Sequence, residues 1–395
     1  MKELIYMDNA ATTQVSEEVL EGMIPYFREH YGNASSIYSI GQVSKKAITE
    51  AREKVAKVLN ADPKEIFFTG SGTESDNWAL RSYAEANKEK GNHIITSKIE
   101  HHAVLHVCEY LEKNGFEVTY LDVDSEGFIS LEELEKAIKP ETILISIMHA
   151  NNEIGTIQPI SEISKIAKEH KIIFHTDAVQ TAGILDIDVK ELGVDMLSLS
   201  AHKFHGPKGV GVLYVRRGLK LPPFMIGGGQ ERGKRGSTEN VAGIVGLGIA
   251  LENARSIASN DKEKLTELRD YLIDKMLEAI PHSRLNGPKG EKRLPGNTNF
   301  SFEFIEGESM LLLLDSFGIC GSSGSACTSG SLDPSHVLLG IGLPHEIAHG
   351  SLRLSLSTEN TKEQIDFVVE KTAQVVQRLR DMSPLYEDYL KGVKK

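Results

Sequence analysis

Lys203 stands in Ser198-Leu-Ser-Ala-His-Lys-Phe-His-Gly-Pro-Lys-Gly209, directly after the apolar run at 196–199. A lysine leaving a buried strand onto a Gly/Pro turn is expected in an apolar pocket. Desolvation there disfavours the ammonium and leaves an amine competent for Schiff-base chemistry. Such an amine suits an aldehyde cofactor such as pyridoxal phosphate. A lone lysine with these neighbours is more often an ordinary surface-turn residue, so its company decides.

That company lies upstream. Lys171-Ile-Ile-Phe-His-Thr-Asp-Ala-Val-Gln180 reads as an apolar strand ending in Asp177. A carboxylate at a strand's C-terminal end faces the crevice where α/β sheets bind ligands. It would keep a pyridine nitrogen protonated. Glu65-Ile-Phe-Phe-Thr-Gly-Ser-Gly-Thr-Glu-Ser75 reads as a strand, a tight turn and a helix start. The N–H groups and dipole of that helix start, around Gly72 and Thr73, would hold a phosphate. Phosphate turn, acid and lysine, each at a strand end and in that order, carry far more weight together than singly.

These residues need a scaffold. Apolar runs at 65–69, 93–97, 117–122, 143–148, 172–175, 196–200 and 211–215 predict strands, most of them buried on both faces. Helical spacing fills the intervals, as at 161–170. The predicted fold class is therefore α/β, a mostly parallel seven-stranded sheet sandwiched by helices. Ahead of it, 39–60 has apolar residues at helical spacing. After a Gly-rich break at 222–238, 243–256 and 262–280 read as two helices. A strand at 297–304, a helix at 309–317, a strand at 351–356 and a helix at 361–380 then predict a smaller α+β domain. The expected division is 15–260 for the large domain, and 1–14 with 261–395 for the small one.

With 395 residues the chain is long enough for a large core. A net charge of -12 argues against a dedicated nucleic-acid or anionic-membrane binder. No apolar run approaches transmembrane length, and Met1-Lys-Glu-Leu-Ile-Tyr lacks a secretory pattern. Cys108, Cys320 and Cys327 cannot form a disulfide framework, so a reducing cytoplasm is the expected setting.

Two metal motifs are expected to be decoys. Asp122-Val-Asp-Ser-Glu-Gly-Phe-Ile-Ser-Leu-Glu-Glu133 fits a calcium loop, but a strand-like segment precedes it where a helix is needed. His345-Glu-Ile-Ala-His349 matches a zinc-protease pattern, but Gly350 and a strand follow at once. No metal site is expected.

Cys327 lies in a Gly/Ser-rich stretch at 318–336 with almost no apolar anchor. A loop that long is usually functional or disordered, and a thiol on it is expected to be exposed and mobile, able to swing into a site. Cys108 and Cys320 read as buried and inert.

Together these segments resemble the cysteine desulfurases, pyridoxal-phosphate enzymes of fold type I that supply sulfur for iron–sulfur clusters. The resemblance rests on Tyr6-Met-Asp-Asn-Ala-Ala-Thr-Thr13, Tyr31-Gly-Asn-Ala-Ser-Ser36, Gly70-Ser-Gly-Thr-Glu-Ser75 and Ile99-Glu-His-His-Ala-Val104. It continues through Asn151-Asn-Glu-Ile-Gly155, His175-Thr-Asp-Ala-Val-Gln180, the Lys203 segment, Arg235-Gly-Ser-Thr238, Ser325-Ala-Cys-Thr-Ser329 and His349-Gly-Ser-Leu-Arg353. The long cysteine loop is similar to that of the housekeeping and nitrogen-fixation branch.

The resemblance implies roles. Lys203 would be the Schiff-base lysine and proton shuttle. Asp177 would pair with the pyridine nitrogen, Gln180 with the ring hydroxyl, and His101 would stack on the ring and help with proton transfer as a catalytic residue. Thr73, Ser200 and His202 would hold the phosphate, and Thr238 that of a neighbouring subunit, which implies a homodimer. Arg353 would clamp the substrate carboxylate, with Asn33 and Asn152 nearby. Cys327 would take sulfur from L-cysteine as a persulfide, leaving L-alanine, and pass it to an acceptor or scaffold protein for cluster or thio-cofactor assembly. Ala34, Tyr38 and Gly321 depart from the family pattern, Gly321 standing where a larger residue is usual. Another fold type I enzyme, such as an aminotransferase or selenocysteine lyase, is the alternative, and a non-catalytic sulfur carrier is a third. An aminotransferase has no use for Cys327, and a carrier has none for Lys203 with Asp177.

Overall fold

Short apolar runs with helical spacing between them assemble into one twisted sheet. The computed structural model describes residues 4–323 and 334–392, without the side chains of 257–260. From edge to edge the sheet runs Ile66–Thr69, Gly211–Val215, Met196–Ser200, Ile173–Asp177, Thr142–Ser146, His93–Ser97 and Glu117–Leu121. Neighbours are parallel, except that Gly211–Val215 is antiparallel to both of its partners. The predicted fold class and all seven expected strands are present.

The burial pattern explains the sequence pattern. His93–Ser97, Thr142–Ser146 and Met196–Ser200 are buried at every position, as helices on both faces require. The edge strand Glu117–Leu121 buries only Leu121, so its sequence alternates. The central core joins Phe68, Phe174, Leu197 and Leu199 of the sheet to Val55 and Leu59 of helix Ser39–Leu59.

A second cluster is built on a three-stranded antiparallel sheet in the order Ser351–Ser355, Asn297–Phe302, Ser283–Leu285. Met7, Phe300, Leu354, Val368 and Val376 lie in it. The two helices expected at 243–256 and 262–280 are one element, Val241–Ala279. Its halves, Val241–Ser256 and Asp261–Ala279, meet at 76°. Leu247 and Leu251 of the first half enter the central core, while Leu272 and Met276 of the second enter the other cluster. Among the described residues no single helix is long and apolar enough to cross a membrane.

Both metal-like motifs sit in the frames expected from the sequence. Strand Glu117–Leu121 precedes the acidic loop, where Asp124 Oδ1 accepts from Glu126 N and Phe128 N at 2.9 Å each. Ser130 then caps helix Leu131–Ala137. His345–His349 is a five-residue helix running straight into strand Ser351–Ser355.

Candidate active site

Parallel strands deliver their C-terminal ends to one edge of the sheet, and a cavity of about 300 Å³ opens there. Ten of the thirteen predicted residues line it: Gly72, Thr73, His101, Asn152, Asp177, Gln180, Ser200, His202, Lys203 and Arg353. Asn33 is exposed on a turn, its Oδ1 accepting from Ser35 N at 2.9 Å. Thr238 lines a separate cavity of about 210 Å³ with Arg235. Cys327 lies outside the described residues.

Asp177 closes its strand and is 7% exposed. Its Oδ1 accepts from Val179 N at 2.8 Å. Burial pushes its carboxyl above the usual range, while the Val179 N–H and the charge of Lys203 pull it back. A buried carboxylate in this position is stabilised by a cationic N–H partner, which a protonated pyridine ring provides. Gly72 belongs to the same wall. A Cβ there would come within 2.7 Å of Val179 Cγ2. Ser71 caps the helical run that begins at Gly72, its Oγ accepting from Glu74 N at 3.1 Å. The first turn presents N–H groups that have no acceptor within the helix.

Lys203 follows Ser200 on a short 3₁₀ turn, Ala201–Lys203. The expected apolar pocket has a polar end: Lys203 Nζ donates to the carbonyls of Ala10 at 2.6 Å and Ala11 at 2.8 Å. Gln180 Nε2 donates to Ala10 O as well, at 3.0 Å. The cause is distant in sequence. Ile5–Tyr6 pairs in parallel with Ile319–Cys320 and carries the residues after it across the cavity mouth.

His101 caps helix His102–Lys113, its Nδ1 accepting from Ala103 N at 3.1 Å. Burial, and then repulsion from Lys203 and nearby imidazoles, pushes it down to about 4. It is therefore neutral near pH 7, with its proton on Nε2. Burial with Lys203 and Lys208 pushes His202 to about 4 also, and its Nδ1 lies 3.1 Å from Thr12 Oγ1.

Arg353 comes from the other cluster's sheet and is 3% exposed. Its Nη1 donates to Asn152 O at 3.1 Å and its Nη2 to Asp8 Oδ1 at 2.9 Å. Its buried Nε has no acceptor among the described residues. An unpaired buried guanidinium N–H is costly, and a substrate carboxylate would remove that cost.

Sequence reasoning missed several participants. Asp8 and the Ala10 and Ala11 carbonyls lay within the quoted N-terminal segment, but nothing local marked them. Asp76, 1% exposed, lines the cavity with an unpaired Oδ1 that lies 3.6 Å from His175 Nε2. Glu100, inside the quoted Ile99–Val104 segment, accepts from Ser97 Oγ at 2.6 Å and Met148 N at 3.0 Å. Cys320, expected in the core, is only half-buried because its strand is a two-residue edge pair. Cys108 is buried, as expected.

The buried acid has a pH signature. Burial pushes Glu100 up to about 8, against the two bonds it accepts. The folded protein thus keeps a proton that the unfolded chain releases near 4.5. Stability from this group falls as pH rises between those values. His149 and His175, pushed by burial to about 4 and about 3 from 6.5, act oppositely and cost stability as pH falls below 6.5. Cofactor-free protein should therefore melt at a lower temperature at pH 8 than at pH 6.5. Glu100→Gln should narrow that gap in calorimetry, and an unchanged gap would refute the assignment.

Residues 5–368 match the aminotransferase class-V family. A cysteine desulfurase IscS of Clostridium botulinum (strain Hall) is 60% identical over 393 residues, 99% of each chain. That of Methanosarcina thermophila is 59% identical over 96% of this chain and 94% of its own. Among solved structures, a NifS-like protein is 42% identical with a TM-score of 0.90, covering 95% of this chain and all of its own. SspA in complex with cysteine is 41% identical with a TM-score of 0.80, covering 90% and 99%. With this fold and this cavity, the chain belongs to the aminotransferase class-V family, on its cysteine desulfurase branch.

Proposed function

We propose that the protein converts L-cysteine to L-alanine and holds the displaced sulfur as a persulfide on Cys327. One observation carries this reading: Asp177, Lys203 and Arg353 meet in a single cavity. They supply an acid for a pyridine nitrogen, an amine for an aldehyde and a guanidinium for an α-carboxylate. Pyridoxal phosphate, when bound, withdraws electrons from the substrate's α-carbon.

The chain's own groups do the rest. Lys203 would anchor the cofactor and move the proton at the α-carbon. Asp177 would pair with the pyridine nitrogen and Gln180 with the ring hydroxyl, and neutral His101 would stack on the ring and help with proton transfer. Gly72, Thr73, Ser200 and His202 would bind the phosphate. Arg353 would fork the substrate carboxylate, with Asn152 and Asn33 beside it. The Cys327 thiolate would attack the substrate sulfur. An S–S bond forms as the Cβ–S bond breaks, and Cβ takes up a proton. One cysteine and one thiol thus give one alanine and one persulfide.

Thr238, apart from this cavity, would serve the cofactor phosphate of a second copy, making a homodimer the working form. The persulfide sulfur would pass to an acceptor or scaffold protein for iron–sulfur cluster or thio-cofactor assembly in the cytoplasm. The two hydrophobic clusters support a cofactor unit of 15–260 and a smaller unit of 1–14 with 261–395.

Purified protein given L-cysteine and a reductant should release alanine and sulfide in equal amounts. Sulfide without alanine, or turnover confined to selenocysteine, would defeat the reading.

A further inference from the structure

Both ends of the segment carrying Cys327 are fastened to the substrate-carboxylate site. On the N-terminal side Ser322 and Arg353 exchange two backbone bonds, Arg353 N to Ser322 O at 2.6 Å and Ser322 N to Arg353 O at 3.0 Å. Gly321 lies directly before this pair. A Cβ there would come within 2.8 Å of Leu354 Cδ2 and 3.3 Å of Arg353 O.

On the C-terminal side Ser335 Oγ donates to Glu153 Oε2 at 2.5 Å. The same oxygen accepts from Val337 N at 3.1 Å and Leu338 N at 3.3 Å, capping helix His336–Gly340. Its two acceptor positions are filled, so its one proton is committed to Glu153. Both side chains are buried.

Glu153 is itself held rigidly. Its N–H donates to Asn151 Oδ1 at 2.8 Å, and its carbonyl accepts from Asn297 Nδ2 at 3.2 Å and Asn299 Nδ2 at 3.1 Å. The preceding carbonyl, that of Asn152, accepts from Arg353. Burial pushes the Glu153 carboxyl up to about 7, while the Ser335 bond and the Arg353 charge pull it down. The chemistry described above gives Glu153 no part.

We propose that Glu153 is a positioning residue that anchors Ser335 and, with Arg353 anchoring Ser322, fixes where the Cys327 segment meets the fold relative to the substrate carboxylate. This rests on the cysteine desulfurase reading. A misplaced nucleophile loses rate rather than substrate affinity.

The test uses holoenzyme of wild type, Glu153→Gln, Ser335→Ala and the double variant. Glu153→Gln should lower kcat for alanine formation about tenfold, with the KM for L-cysteine and the cofactor absorbance unchanged. Ser335→Ala removes the Glu153 link and also the cap of His336–Gly340, so it should lose at least as much as Glu153→Gln, which leaves only a neutral amide acceptor. The double variant should be no slower than Ser335→Ala, because the link is already gone there. A limb of the wild-type kcat–pH profile near neutrality should vanish in Glu153→Gln. Should Glu153→Gln fail to fold, Ser335→Ala alone carries the kcat-against-KM comparison. A kcat within twofold of wild type, additive losses, or a raised KM at unchanged kcat would overturn the proposal. Wild type that makes no alanine would instead sink the desulfurase reading.

Discussion

Cys327→Ser is expected to fold, stay yellow and bind L-cysteine, yet release neither alanine nor sulfide. Lys203, Asp177 and Arg353, the groups proposed to hold cofactor and substrate, line the cavity and are unchanged in this variant. Only the attack on sulfur is removed, because a hydroxyl is a far poorer nucleophile toward sulfur than a thiolate. Turnover should fall by about a thousandfold or more. The other thiols provide the control. Cys108 is buried, with its thiol pushed up by burial. Cys320 is also pushed up, by burial and then by Asp315 and Asp8. Both therefore hold little thiolate, and Cys108→Ser and Cys320→Ser should keep most activity. Mass spectrometry after one wild-type turnover should find one added sulfur on the Cys327 peptide. Sulfur on Cys320, or normal turnover by Cys327→Ser, would sink the mechanism.

Lys203→Ala should abolish both covalent cofactor attachment and turnover. Borohydride treatment of wild type should fix a pyridoxyl group to the Lys203 peptide, and in the variant no peptide should carry one. The fold should survive, since the side chain bonds to two carbonyls at a cavity rather than packing in the core. A protein-bound pyridoxyl group in the variant would show that another amine anchors the cofactor.

The sheet was legible because strands buried on both faces must be apolar throughout, and Glu117–Leu121 because an edge strand alternates. Ser283–Leu285, Ile5–Tyr6 and Ile319–Cys320 are too short to show a period. Val241–Ala279 read as two helices because the polar residues near 256–262 break its apolar pattern at the bend. In the site, Gly72, Asp177 and Lys203 announced themselves by standing at strand ends. His101, Gln180, Asn152 and Arg353 were assigned only through family resemblance, since no local spacing marks them. The Lys203 carbonyl cage and the Asp8–Arg353 pair were illegible. Each depends on which distant residue lies opposite, and a single sequence does not encode that locally. Asp76 reads as an ordinary acid near a helix start, yet the fold buries it beside His175.

The carbonyl cage has a consequence for the order in which the molecule is made. Ala10 N donates to Ser355 Oγ across 345 residues of chain, while Ala10 O receives the Lys203 amine across 193. Closing so long a loop is opposed by chain entropy until strand Ser351–Ser355 has been synthesised and docked. The central sheet, complete by Val215, can form well before that. A nascent chain therefore displays Lys203 and Asp177 on a finished sheet with one wall of the cavity still open. Cofactor can enter from that side until strand Ser351–Ser355 docks and closes it.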